Sequence, residues 1–160
     1  MFNTIKATVE ELKKTKGSFI ATSATLHYKG LALQGPASSA KAAIDSLIRV
    51  AGVEYGPHGV RFNTIAPGPI EGTEGVARLV PKEMKEDATR KIPLQTFGGI
   101  NDIANAAIFL FSDASKYVTS TGIVVDGGEW HTGGGIGGGW YPDLMFVDPK
   151  DIRSFIAGKL

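Results

Sequence analysis

The chain has no cysteine. A disulfide scaffold, a zinc-thiolate or iron-sulfur centre and a cysteine nucleophile are thereby excluded, while the redox compartment stays open. A charge excess is also missing, since 17 basic and 16 acidic residues leave a formal net charge of +1. With no electrostatic surplus to hold a phosphate backbone or an anionic lipid surface, neither nucleic acid nor membrane is an expected partner. No apolar run approaches the ~20 residues a bilayer demands. Met1 to Glu10 carries neither the basic n-region nor the apolar h-region of a secretory signal. The histidines, His27, His58 and His131, have no metal-like spacing, so they are expected in loops or on the surface, with no metal and no catalytic role.

What is present fits one globular domain. The 160 residues are 42% hydrophobic and 21% charged, and the mean hydropathy of +0.01 is that of neither a disordered nor a fibrous chain. One core is expected at this length. Glycine is the abundant residue, with 21 in the chain, about 13% against a typical ~7%. Many glycines fall in clusters where backbone must turn or approach something closely.

Periodicity gives the elements. Residues 3 to 14 space Ile5, Val9 and Leu12 one turn apart, an amphipathic helix with lysines toward its C-terminus and a stop at Gly17. Ser18 to Ser23 has strand length and composition, and His27 to Pro36, broken by Gly30, Gly35 and Pro36, reads as a loop. A second helix from Pro36 or Ala37 to about Glu54 presents Ala40, Ile44, Leu47, Ile48 and Ala51 as its apolar face and ends at Gly56-Pro57. Val60 to Ala66 is a strand, turned by Pro67-Gly68-Pro69. Pro81 divides Glu74 to Arg90 into two short helices. Asn101 to about Ser112 is a helix with Ile103, Ala104, Ala107, Ile108 and Phe111 on one side, and Ile123 to Val125 is a buried strand before Asp126-Gly127-Gly128. The alternation predicts a parallel sheet with crossover helices, an α/β sandwich. Three strands are fewer than such sheets usually have.

Five segments in register then carry a resemblance. Ser38-Ser39-Ala40-Lys41-Ala42-Ala43, Val53-Glu54-Tyr55-Gly56-Pro57, Val60-Arg61-Phe62-Asn63-Thr64-Ile65-Ala66-Pro67-Gly68-Pro69-Ile70, Asp102-Ile103-Ala104 with Tyr117-Val118-Thr119 and Gly122, and Val125-Asp126-Gly127-Gly128 resemble the C-terminal half of a short-chain dehydrogenase/reductase. The resemblance covers residues 1 to 130 and leaves 131 to 160 as a glycine-rich linker and tail. It implies an α/β fold, the C-terminal part of a Rossmann-like doubly wound parallel sheet, whose glycine-rich phosphate loop and first strands would precede Met1. Gly133 to Gly139 satisfies G-x-G-x-x-G literally, but Trp140-Tyr141-Pro142 follows where a helix should open, so it is expected to be linker.

In most of that family a tyrosine stands four residues before the active lysine, whose ammonium lowers the phenol pKa for acid-base work. Here that position is Ala37, and the usual serine aligns with Ala24. This pattern is similar to peroxisomal 2,4-dienoyl-CoA reductases, the fungal ones most, as are the Ser-Ala-Thr-Leu strand end and Gly-Pro-Ile-x-Gly-Thr-Glu-Gly after the next strand. Gly158-Lys159-Leu160 resembles the Ser-Lys-Leu address read by the peroxisomal import receptor. Peroxisome is the implied location, with cytoplasm the alternative.

The implied reaction is NADPH-dependent reduction of a 2,4-dienoyl-CoA to a 3-enoyl-CoA. Hydride would reach the distal end of the diene, and the proton would come from a water oriented by an aspartate that would lie before Met1. Implied roles follow the motifs: Lys41 as catalytic residue and ligand of the nicotinamide ribose, Pro67, Gly68, Pro69, Ile70 and Thr73 along the cofactor, Arg78 toward the acyl-CoA substrate, and Asp126 structural. The helices over residues 3 to 14 and 37 to 54 resemble those that pair subunits, so a homo-oligomer, tetramer or dimer, is implied for the complete protein. The alternative function is a non-catalytic fragment that serves assembly or binds acyl-CoA.

Overall fold

A computed structural model describes residues 1–31, 34–80, 82–132, 148, 150 and 151, with the side chains of Arg78, Leu79 and Lys82 outside that description. Its three strands, β1 (Ser18–Thr22), β2 (Arg61–Pro67) and β3 (Thr121–Val125), form one sheet in the order β1-β2-β3. Both pairings are parallel, with Ala21 beside Thr64 and Ile65 beside Ile123. All three carboxyl ends therefore lie along one rim of the sheet.

Helices α1 (Phe2–Thr15) and α3 (Gly35–Tyr55) cover one face. Ile5 and Val9 of α1, Ile48 and Ala51 of α3, and Ala21, Val60 and Phe62 from the sheet side make one buried cluster. Phe62 is fully buried and stacks on Phe19, with ring centroids 5.3 Å apart. Helix α6 (Ile100–Phe111) packs on all three strands from the opposite face. The sheet is thus covered on both sides, the doubly wound arrangement expected, with β1 and β3 as edges among the described residues.

Several expectations need correction. The first helix ends at Lys16, which takes the left-handed conformation at φ 52°, rather than at Gly17. A Cβ on Gly17 would lie 2.9 Å from Leu12 Cδ2, the end of a flexible side chain that can move aside. Within the expected loop of residues 27 to 36, Leu26–Lys29 forms a short helix, α2. Ala40 is exposed, and Asp45 joins Ile48 and Ala51 on the buried face of α3. On α6 the deeply buried side chain is Leu110, whereas Ile108 and Phe111 are 66% and 60% exposed. That helix is apolar nearly all round, so its pattern cannot select a face.

Between β2 and α6 run α4 (Glu74–Leu79), a 3-10 turn at Lys82–Met84 and α5 (Lys85–Arg90), the two short helices expected around Pro81. A last short helix, α7 (Glu129–Thr132), follows β3. The Gly133 to Gly139 run and the terminal Gly158-Lys159-Leu160 lie outside the described residues. Among the described residues no helix is long and apolar enough to cross a membrane.

Candidate active site at the strand ends

Ligands in open parallel sheets sit beyond the carboxyl ends of the strands. Here that rim is made by Thr22, Pro67 and Val125 and the segments that follow them. Lys41, in the second turn of α3, donates from Nζ to the Thr22 carbonyl at 2.9 Å, so the lysine head stands at the end of β1. The chain after β1 stays alongside β2, with Ser23 N bonded to the Ile65 carbonyl at 2.7 Å and Thr25 N to that of Pro67 at 3.2 Å. Ala24 and Ala37 put methyl groups where most of the family carries serine and tyrosine hydroxyls, and the buried Ser23 hydroxyl has no protein partner among the described residues.

The segment Pro67 to Thr73 is held by its own backbone. Gly68 N bonds to the Val125 carbonyl at 3.0 Å, and a Cβ on Gly68 would lie 2.5 Å from Asp126 Cβ. Only glycine allows the ends of β2 and β3 to approach this closely. Ile70 is buried and bridges to Gly98, with Glu71 N donating to the Gly98 carbonyl at 2.8 Å and Gly98 N to that of Pro69 at 3.1 Å. The Thr73 hydroxyl donates to the Ile70 carbonyl at 2.7 Å and accepts from Val76 N at 3.4 Å, capping α4. Arg78 lies on α4, its side chain outside the described residues. Asp126 accepts from Gly128 N at 2.8 Å and Trp130 N at 2.9 Å, which makes it the cap of α7.

The sequence reading missed a polar cluster beside this rim. His27, expected in a loop or at the surface, stands in helix α2 with little exposure: its Nε2 lies 2.8 Å from Asp45 Oδ2, and the two side chains are 10% and 7% exposed. Tyr28 OH donates to the same oxygen at 3.3 Å. Burial first, then the Asp45 carboxylate, pushes the Tyr28 phenol above its usual range. That is opposite to the shift an acid-base tyrosine needs near neutral pH. A cavity of about 130 Å³ lined by Tyr28, Asp45, Arg49, Thr64 and Ser120 lies toward the start of β3, away from the strand ends. His58 and His131 are exposed, as expected.

Residues 1–129 match the family model described as enoyl-(acyl carrier protein) reductase. The chain belongs to the short-chain dehydrogenase/reductase family. Among its short-chain relatives, peroxisomal 2,4-dienoyl-CoA reductase of Saccharomyces cerevisiae is 51% identical over 144 residues, covering 90% of this chain and 49% of that one. The protein of that name from Danio rerio is 50% identical, covering 82% and 44%. A solved protein described as a 2-deoxy-D-gluconate 3-dehydrogenase, from Agrobacterium tumefaciens and with bound NADP, superposes at a TM-score of 0.73 and 31% identity, covering 81% of this chain and 54% of that one. The chain spans about half the length of the relatives it matches.

Proposed function

We propose that this chain supplies the C-terminal part of an NADPH-dependent 2,4-dienoyl-CoA reductase acting in peroxisomal oxidation of unsaturated fatty acids. The observation that carries this is the joint state of three positions: Lys41 is kept at the end of β1 while Ala37 and Ala24 lack the hydroxyls of ordinary short-chain alcohol chemistry. The 51% identity to a dienoyl-CoA reductase supports the same reading.

The rim fits the nicotinamide half of the cofactor. It offers an ammonium at one strand end and a loop fixed by its own backbone at the next. NADPH, when bound, supplies the hydride. Lys41 then holds the ribose hydroxyls and places positive charge beside the carbonyl on which negative charge develops. Its short tether to the Thr22 carbonyl keeps the ammonium at the rim. Pro67, Gly68, Pro69, Ile70 and Thr73 present main chain to the cofactor, and Arg78 meets the anionic acyl-CoA. Because the Thr73 hydroxyl is already engaged with Ile70 and Val76, its part is to fix the loop more than to hold phosphate. With methyls at Ala24 and Ala37, the proton comes from a water, and its orientation falls to groups contributed from the other half of the domain.

A homo-oligomer accompanies this reading. Val50 and Val53 on α3 are 50% and 73% exposed and Phe2 on α1 is 65% exposed, an apolar surface suited to subunit pairing. The Gly158-Lys159-Leu160 terminus would be the address read by the import receptor. A fluorescent protein fused ahead of residues 141–160 should enter peroxisomes and stay cytosolic without the last three residues; diffuse signal from both would reject the location.

The function is tested by joining the chain to the N-terminal half of the Saccharomyces cerevisiae relative. The joined protein should oxidise NADPH with a 2,4-dienoyl-CoA and release a 3-enoyl-CoA, and the 160-residue chain alone should not. Absence of turnover in a folded joined protein, or a 2-enoyl-CoA product, would reject it.

A further inference from the structure

Lys41 stands on a stretch of α3 that the core does not hold. From Gly35 to Ile44 no residue of the helix is buried, and its buried residues begin at Asp45. The start of the helix also has little support of its own. Gln34 at the N-cap makes no side-chain bond and the first turn carries no acidic residue, so neither a capping oxygen nor a negative charge stabilises the first amides. At the rim the lysine head has one tether, from Nζ to the Thr22 carbonyl at 2.9 Å.

Helix α2 supplies what the core does not. His27 Nε2 lies 2.8 Å from Asp45 Oδ2, with the two side chains 10% and 7% exposed, and Tyr28 OH donates to the same oxygen at 3.3 Å. The Ser38 hydroxyl donates to the Leu26 carbonyl at 3.5 Å. These contacts bracket the lysine: Ser38 precedes Lys41 by three residues and Asp45 follows it by four, so all three lie along one side of α3. A single turn such as α2 does not persist alone in water. It is anchored in turn by the Lys29–Glu129 ion pair and by the Tyr28 ring against Trp130, with centroids 5.5 Å apart. Asp45 lines the cavity toward the start of β3, away from the strand ends, so what it does for the rim it does through the helix it shares with Lys41.

We propose that His27 and Asp45 are positioning residues for Lys41: their enclosed pair makes α2 a buttress for the first turns of α3 and keeps the ammonium at the end of β1. This rests on the reading above, in which Lys41 carries the reductase chemistry. Neither residue touches substrate or cofactor. Loss of the pair lets the Lys41 turn loosen while the core, which begins at Asp45 and continues through Ile48 and Ala51, stays packed.

A double-mutant cycle tests it. In the joined protein, His27→Ala should lower kcat/KM for a 2,4-dienoyl-CoA at least fivefold, and the same change made on top of Lys41→Ala should cost less than twofold more. His27→Gln, which keeps a donor where Nε2 stands, should stay within threefold of the starting protein. A fall below fivefold for His27→Ala, equal falls in both backgrounds, or a glutamine variant no better than alanine overturns the proposal. Hydrogen exchange on the 160-residue chain supplies a second reading independent of activity. Amides 38–43 should exchange at least threefold faster in His27→Ala, with those of 48–52 unchanged. Unaltered exchange at 38–43, or equal acceleration through 52, contradicts the buttress. A joined protein inactive in every variant rejects the functional reading instead, and the exchange result still decides whether the pair holds the turn of Lys41.

Discussion

Two segments leave neighbouring strands at the same rim and are held in opposite ways. The one after β2, Pro67 to Thr73, is held chiefly through backbone: the Ile70–Gly98 bridge and the Gly68 approach to Asp126 fix the main chain, and Thr73 caps the helix that follows. The one after β1, beyond the bonds of Ser23 and Thr25 to β2, is held by side chains of other elements. It depends on Asp45, 18 residues from His27, and on Glu129, 100 residues from Lys29. Where backbone geometry holds a loop, its residue types carry the signature of a turn. Where distant side chains hold it, its own residues look unremarkable.

Breaking the ground on which both segments stand should have the largest effect. Phe62 is fully buried in β2, stacked on Phe19 and near Tyr55. Phe62→Ala should cost about 3–5 kcal/mol, read as a lowered denaturation midpoint. A loss under about 1 kcal/mol would mean the strand is not the platform described. Next comes the tight approach of β2 and β3. With Asp126 Cβ at 2.5 Å from the added carbon, Gly68→Ala should destabilise by about 1–3 kcal/mol through overpacking. An unchanged unfolding curve would show that the strand ends separate freely. Smaller is Thr73→Ala, which removes the side-chain cap of α4 and should cost about 1 kcal/mol. Amide exchange at Val76 and Ala77 would accelerate with it, while exchange in α2 stays as it was; equal acceleration in both would mean the two segments are coupled and the contrast is false.

The same contrast explains what could be read from the amino acids alone. Helices α1 and α3 and all three strands were legible because apolar spacing over many residues has one physical interpretation. So was the turn after β2, announced by Pro67-Gly68-Pro69, although Thr73, expected only along the cofactor, is the cap of α4. Helix α2 was not, since four residues hold about one turn and no periodicity. His27 looked like a lone surface histidine because its carboxylate partner is on another helix, and burial of Asp45 runs against what a charged residue normally does. The face of α6 was misread because Ile103, Ala107, Ile108, Leu110 and Phe111 surround the helix, and only contact with the strands selects Leu110.

The proposed site residues rest on family register, and the geometry gives several of them structural work besides. Gly68 and Thr73 are engaged with Asp126 and with α4, and Lys41 is the one whose head group stands at the rim with a single backbone tether. The central claim is that this lysine carries the reductase chemistry in the absence of tyrosine and serine. The most direct measurement is kcat/KM for a 2,4-dienoyl-CoA in the joined protein with and without Lys41→Ala. The account predicts a fall of at least about a hundredfold, within the ~10² to 10⁴ range for one catalytic group. A fall of less than about fivefold, with the variant folded and NADPH still bound, would contradict it.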